Sequence, residues 1–131
     1  MAEKRRILLV DDNPDFRESL SVRLKHEGYD VVAAGSGKDG LQAIAKQPFA
    51  LVLLDMLMPE QDGIETYQAM RAAEPTRKVP VILMTGMAVE GHWEPLPYET
   101  DGAAFVMGKP YDLSLLVARI TQLLTQASVG I

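Results

Sequence analysis

The sequence predicts an α/β fold, a five-stranded parallel sheet that is doubly wound, with helices on both faces. Two observations carry that prediction. Short runs rich in leucine and β-branched residues alternate with longer stretches of helical periodicity, which is the pattern of βα units around a parallel sheet. Three of the runs, around Leu8, Val52 and Ile82, are almost wholly apolar, as central strands covered on both faces have to be. The length of 131 residues, with 47% hydrophobic and 24% charged residues, suits a single globular domain over 1–131.

The strands are predicted at residues 6–10, 30–34, 51–54, 79–84 and 104–107, and the helices between them carry their own start and stop signals. Asn13-Pro14 reads as an N-cap followed by proline at the first helical position, with Phe16, Leu20 and Leu24 along one stripe and Gly28 as the stop. Ser36 with Asp39 resembles a capping box for the second helix, which buries Leu41 and Ile44. Asp62 with Glu65 repeats that device ahead of Ile64, Tyr67 and Met70. The last helix is predicted to start at Asp112 after Pro110, with Leu113, Leu116, Val117, Ile120 and Leu124 on one face, and the tail beyond Leu124 is expected to fray. Between Thr85 and Ala103 the pattern weakens. Pro95 and Pro97 cannot both sit inside a regular helix, so a short, irregular or displaced fourth helix is expected there.

Composition excludes several functions. The chain has no cysteine, which removes disulfides, thiol catalysis and cysteine-ligated zinc and fits a cytoplasmic location. No apolar run approaches the roughly 20 residues of a membrane span, and Ile7–Val10 followed by Asp11 and Asp12 is no signal-peptide core. With a net charge of −5 and only the Arg5-Arg6 pair, direct nucleic-acid binding by this segment is not expected. His26 and His92 are isolated and read as surface residues.

Ligands of parallel α/β sheets bind at the carboxyl ends of the strands, near a topological switch point. Asp11 and Asp12 end the first strand, Asp55 the third, Thr85 the fourth and Lys109 the fifth. Three carboxylates brought together repel one another, so either one takes a proton or a cation enters. A hard, oxygen-seeking divalent ion answers that need. Magnesium takes one or two carboxylates, keeps several waters and accepts a phosphate oxygen. Lys109 adds a positive charge and Thr85 a hydroxyl donor. Phosphoryl transfer requires little beyond positioning and charge neutralisation, and aspartate is an established nucleophile for it.

These residues stand in a larger pattern: Leu8-Leu9-Val10-Asp11-Asp12-Asn13, Leu53-Leu54-Asp55-Met56-Leu57-Met58-Pro59 with Asp62-Gly63, Leu83-Met84-Thr85-Gly86, and Gly108-Lys109-Pro110. In residue types, order and spacing the chain resembles the response-regulator receiver domains of two-component signalling, over about residues 5–125. The resemblance implies a flavodoxin-like strand order 2-1-3-4-5. It implies that Asp55 accepts a phosphoryl group from a sensor histidine kinase or histidine phosphotransfer protein. It further implies that Asp11, Asp12, Asp55 and the backbone carbonyl of Leu57 bind Mg2+, and that Lys109 and Thr85 contact the phosphoryl oxygens. Pro110 is expected to follow a cis bond, and Met58-Pro59 and Gly63 to shape the loop after Asp55. The implied protein is a signalling phosphoacceptor, not an enzyme acting on external substrates. A phosphorylation-dependent dimer is compatible with it, and so is an output partner or domain that the sequence does not identify.

Two features depart from that family. Its switch aromatic, three positions before the lysine, is here Val106, and Phe105 one place earlier should face the other side of the sheet unless a bulge re-registers it. The interval from Thr85 to Lys109 is also slightly long and carries the two prolines. Trp93, Leu96 and Tyr98 in it read equally as a partner-binding lid or as a loop covering the sheet edge. Leu57 and Met87 are apolar where the family tunes phosphoryl lifetime, so a long-lived phosphoryl-aspartate is expected. A haloacid-dehalogenase-type phosphatase is the enzymatic rival. It wants a second aspartate two residues after the nucleophile, where Leu57 stands. A non-phosphorylated pseudo-receiver used as an interaction module is the other alternative.

Overall fold

Leu8 and Leu9 are neighbours in sequence yet lie in different cores, and that alternation organises the molecule. The computed structural model describes residues 5–56, 63–73, 76, 78–86, 93–95, 104–109 and 113–129, with backbone alone at 93–95 and 126–129. Along the chain run β1 (Arg6–Val10), α1 (Pro14–His26), β2 (Asp30–Ala34), α2 (Gly37–Lys46), β3 (Leu51–Asp55), α3 (Gly63–Ala72), β4 (Val81–Thr85), β5 (Trp93–Pro95), β6 (Ala104–Gly108) and α4 (Leu113–Val129). The sheet order is β2-β1-β3-β4-β6-β5. All neighbours are parallel except β5, which runs antiparallel to β6. Counted by its parallel strands alone, the sheet has the expected order 2-1-3-4-5 with helices flanking it.

Side chains alternate across the strands, and each face meets its own helices. Ile7, Leu9, Leu51, Leu53, Ile82, Met84 and Met107 form one core with Leu20 and Leu24 of α1 and with Leu116, Ile120 and Leu124 of α4. Leu8, Val10, Val52, Leu54, Val81 and Leu83 form the other with Ile44 of α2 and with Tyr67 and Met70 of α3. Every residue of β3 and β4 is buried, which is why those strands read as unbroken apolar runs. Arg5 and Arg6 are more than a solvated strand start. Arg5 donates to the Leu124 carbonyl at 2.6 Å, and Arg6 pairs with Asp30 at 3.2 Å across the β1–β2 register.

The structure corrects four sequence expectations. Trp93–Pro95 is a strand, not part of a helix, and proline is tolerated because β5 lies at the sheet edge. The expected lid residues Leu96 and Tyr98 lie outside the described residues, as do Asp62 and Asp112. β4 begins at Val81, since Pro80 lacks a donor and Val79 donates instead to Thr76 in the preceding turn. β3 and β6 each run one residue further, through Asp55 and Gly108. The last helix does not end near Leu124 but continues to Val129.

Two of the three predicted N-caps, those at Asn13 and Ser36, fall among the described residues and are present. Asn13 accepts from the N–H groups of Asp15 and Phe16, and Ser36 accepts from that of Asp39. Gly28 ends α1 at φ 98°, with its N–H on Lys25 and that of Tyr29 on Leu24, 3.0 Å each. That paired closure requires the left-handed region, where a Cβ is strained. A Cβ at Gly28 would meet nothing within 4 Å, so only the backbone resists one. Gly28→Ala is therefore expected to lower stability by about 1 kcal/mol with no change in the site, as urea denaturation will measure.

Candidate functional site

The turn from β1 into α1 sets up the pocket. Asp11 Oδ1 accepts the Asn13 N–H at 2.9 Å, and Asn13 Oδ1 in turn accepts from Asp15 at 3.0 Å and Phe16 at 3.1 Å. Pro14 pre-sets the first helical φ. Arg17, one turn into α1, donates to the Asp11 carbonyl at 2.8 Å, while the Asp11 N–H bonds Ala34 at the end of β2. The acidic pair is thus held on both sides by backbone, and the positive end of α1 favours negative charge beside it.

The carboxyl ends of four parallel strands bring the five predicted residues to one edge of the sheet. Asp11 and Asp12 follow β1, Asp55 ends β3, Thr85 ends β4 and Lys109 follows β6. One carboxylate oxygen from each of Asp11, Asp12 and Asp55 lies within 4.8 Å of the others. Lys109 Nζ is 2.9 Å from Asp11 Oδ2 and 3.7 Å from Asp55 Oδ2. Asp11 is fully buried, Asp55 and Thr85 are buried, and Asp12 is exposed, so the cluster opens to solvent on the Asp12 side. The Lys109 N–H bonds the Thr85 carbonyl at 2.8 Å, tying the lysine's loop to the end of β4.

The donor set fits a hard divalent cation. All three candidate ligands are carboxylates, and Asp11 Oδ2 is a buried oxygen that accepts no hydrogen bond. The Lys109 ammonium beside it is an ionic contact without hydrogen-bond geometry. Three carboxylates against one ammonium leave two formal negative charges, the charge of one divalent ion. A buried acceptor in that state calls for a partner, and oxygen-only coordination suits magnesium.

Gly63 is the spacer of this site. Its N–H bonds the Met56 carbonyl at 3.0 Å, and a Cβ there would overlap the Asp55 carbonyl oxygen and lie 2.9 Å from Met56 Cα. The start of α3 therefore rests directly on the backbone that follows Asp55. Leu57, Met58, Pro59, Met87 and Pro110 lie outside the described residues.

The switch positions are as the strand alternation predicts. β6 pairs regularly with both neighbours, Val106 opposite Leu83 and Glu94, and Phe105 opposite Ile82 and Pro95. Val106 packs on the α2/α3 core and Phe105 on the α1/α4 core. No bulge brings Phe105 round to the other face. Sequence reasoning missed two residues beside the pocket. Phe16, read only as core, lies with its ring 4.8 Å from Lys109 Nζ, and Arg17 was not singled out. Their signal was spacing, since positions three and four after an N-cap return over it.

A doubly wound parallel sheet with a lysine-paired acidic cluster at its carboxyl edge is a scaffold for binding a cation and an anionic group together. The chain belongs to the response regulator receiver domain family, which matches residues 7–121. It is similar to the transcriptional activator protein PfeR of Pseudomonas aeruginosa, 36% identical over 119 residues, which are 91% of this chain and 37% of PfeR. This chain thus spans well under half the length of that relative. Among solved structures it resembles a CheY-like receiver domain protein from Methanospirillum hungatei, with TM-score 0.79, 26% identity and coverage of 98% of this chain and 100% of that one. It also resembles the response regulator TrrA of Thermotoga maritima in complex with Mg(2+)-BeF, with TM-score 0.72, 28% identity and coverage of 91% and 98%. Receiver domains of this family are signalling phosphoacceptors that bind magnesium at an acidic site.

Gly63→Ala forces apart two backbones that touch, so it is expected to destabilise the domain by about 1–3 kcal/mol and also to weaken magnesium binding. Denaturant titration and isothermal calorimetry with magnesium will measure the two effects.

Proposed function

We propose that this chain is a single receiver domain over 1–131, with its core at about 5–125, that takes a phosphoryl group onto Asp55 from a phosphohistidine and signals by changing conformation. The donor is a sensor histidine kinase or a histidine phosphotransfer protein, and the setting is the cytoplasm. The observation that carries this reading is the cluster itself: three carboxylates within 4.8 Å, with Lys109 within 4 Å of two of the acids and a buried Asp11 oxygen that meets the lysine ionically but accepts no hydrogen bond.

Asp55 is the proposed nucleophile. Its carboxylate oxygen attacks phosphorus, the phosphorus–nitrogen bond of the donor breaks, and the imidazole leaves. Asp11, Asp12, Asp55 and the Leu57 carbonyl would hold Mg2+, which when bound offsets their charge and draws in the anionic phosphoryl group. Lys109 stands between Asp11 and Asp55 and can exchange its contact with Asp55 for one with a phosphoryl oxygen. The Thr85 hydroxyl donates to another oxygen of the same group. Among the described residues the acidic cluster supplies no separate general acid for turnover on external substrates, and Leu57 stands in the sequence where such a phosphatase wants its second aspartate, which favours a phosphoacceptor.

Transmission is proposed to run through the β4–β6 edge without the usual aromatic, because Val106 has neither a ring nor a polar handle. That substitution is what favours the second reading, a pseudo-receiver that is never phosphorylated. Acetyl phosphate with magnesium separates the two. The wild-type chain is expected to gain one phosphoryl group by intact mass, and Asp55→Asn or chelation of the metal to abolish the gain. Phosphorylation that persists in Asp55→Asn sinks the assignment of Asp55, and none in the wild type favours the pseudo-receiver.

A further inference from the structure

Among the described residues, the Lys109 ammonium meets Asp11 Oδ2 at 2.9 Å, Asp55 Oδ2 at 3.7 Å and the face of the Phe16 ring, whose centroid is 4.8 Å away. The first two contacts are ionic and fix a distance, but the closer one lacks hydrogen-bond geometry and so fixes no direction. A lysine carries its charge on a flexible four-carbon stem and is strongly hydrated. With a side chain 26% exposed, it has water available as a competitor. The ring lies within the roughly 6 Å at which an aromatic face attracts a cation.

The ring is itself held. The Phe16 N–H donates to the Asn13 cap at 3.1 Å, and its side chain packs against the core built on Ile7, Leu9 and α4. The same turn therefore aims the two acids and the ring. An aliphatic residue could also cover this part of the core, at some cost in packing. It would itself offer the ammonium no electrostatic partner.

We propose that Phe16 is a positioning residue for Lys109, its ring face holding the ammonium over the pocket in the place where it meets a phosphoryl oxygen. What the placement is for rests on the phosphoacceptor reading of Asp55; the ring–lysine contact does not. Phe16 touches neither metal nor phosphoryl group and acts only through the lysine.

The test compares the wild type with Phe16→Leu, Phe16→Tyr and site-specific fluorinated phenylalanines at position 16, which drain the ring face of charge at nearly constant size. In the wild type the Lys109 Hε protons are expected upfield by ring current, and in Phe16→Leu that shift is lost. The rate of phosphorylation by acetyl phosphate is expected to fall on the order of tenfold in Phe16→Leu and to recover in Phe16→Tyr. It should step down with each added fluorine while thermal stability and magnesium affinity hold. Wild-type Lys109 shifts in Phe16→Leu, failure of Phe16→Tyr to restore the rate, or a flat fluorine series each overturns the proposal. If the wild type takes no phosphoryl group, the phosphoacceptor reading fails, and the Lys109 shifts still decide whether the ring holds the lysine.

Discussion

Carboxylates crowded at the end of a buried sheet repel one another, and much of the architecture around the pocket answers that repulsion. Two like charges less than 5 Å apart oppose each other by a few kcal/mol at the effective dielectric of a protein, and Asp11 has no access to solvent. The chain offsets part of this with Lys109 between Asp11 and Asp55, with the Asn13 N–H on Asp11 and with the N-terminal end of α1 alongside. Asp11 Oδ2, in ionic contact with Lys109, still accepts no hydrogen bond, and one ammonium against three carboxylates leaves negative charge over. An imbalance of that kind is one that a divalent cation offsets.

Holding such an arrangement takes a frame that cannot relax. β1, β3 and β4 are buried on both faces, so a shift of any one strand would disturb two cores together. Hydrogen bonds from Met56 to Met84 and from Lys109 to Thr85 tie the strand ends to one another. Gly63 lets α3 seat against the backbone beyond Asp55 at a separation no side chain would permit. The repulsive cluster thus stands on elements packed chiefly by apolar burial.

The β6 side of the sheet is built differently. β6 is less buried than β3 or β4, and β5 adds a three-residue antiparallel strand to its free edge. Strand addition covers backbone groups that an edge would otherwise present to other chains. Val106 packs on the α2/α3 core and Phe105 on the α1/α4 core, so this edge carries no aromatic ring at position 106.

Local chemistry was legible because it is local. Apolar runs announced the central strands, Asn13-Pro14 and Ser36 announced the helix starts, and acids, threonine and lysine at strand ends announced the pocket. Alternation alone placed Val106 and Phe105 on opposite faces, since a strand without a bulge leaves no choice. Three features needed the folded chain. Trp93–Pro95 became a strand because β6 offered an open edge, a partner that no window of sequence contains. Pro80 moved the start of β4 through a turn closed by Thr76. Phe16 met Lys109, ninety-three positions away in the sequence, only because β1 and β6 deliver their following loops to one end of the sheet. The sequence by itself determined which side chains had the chemistry and which elements would carry them. Distances between charges, the burial of the Asp11 carboxylate and the ring over the lysine were decided by tertiary structure, because they depend on how separate strands are brought into register.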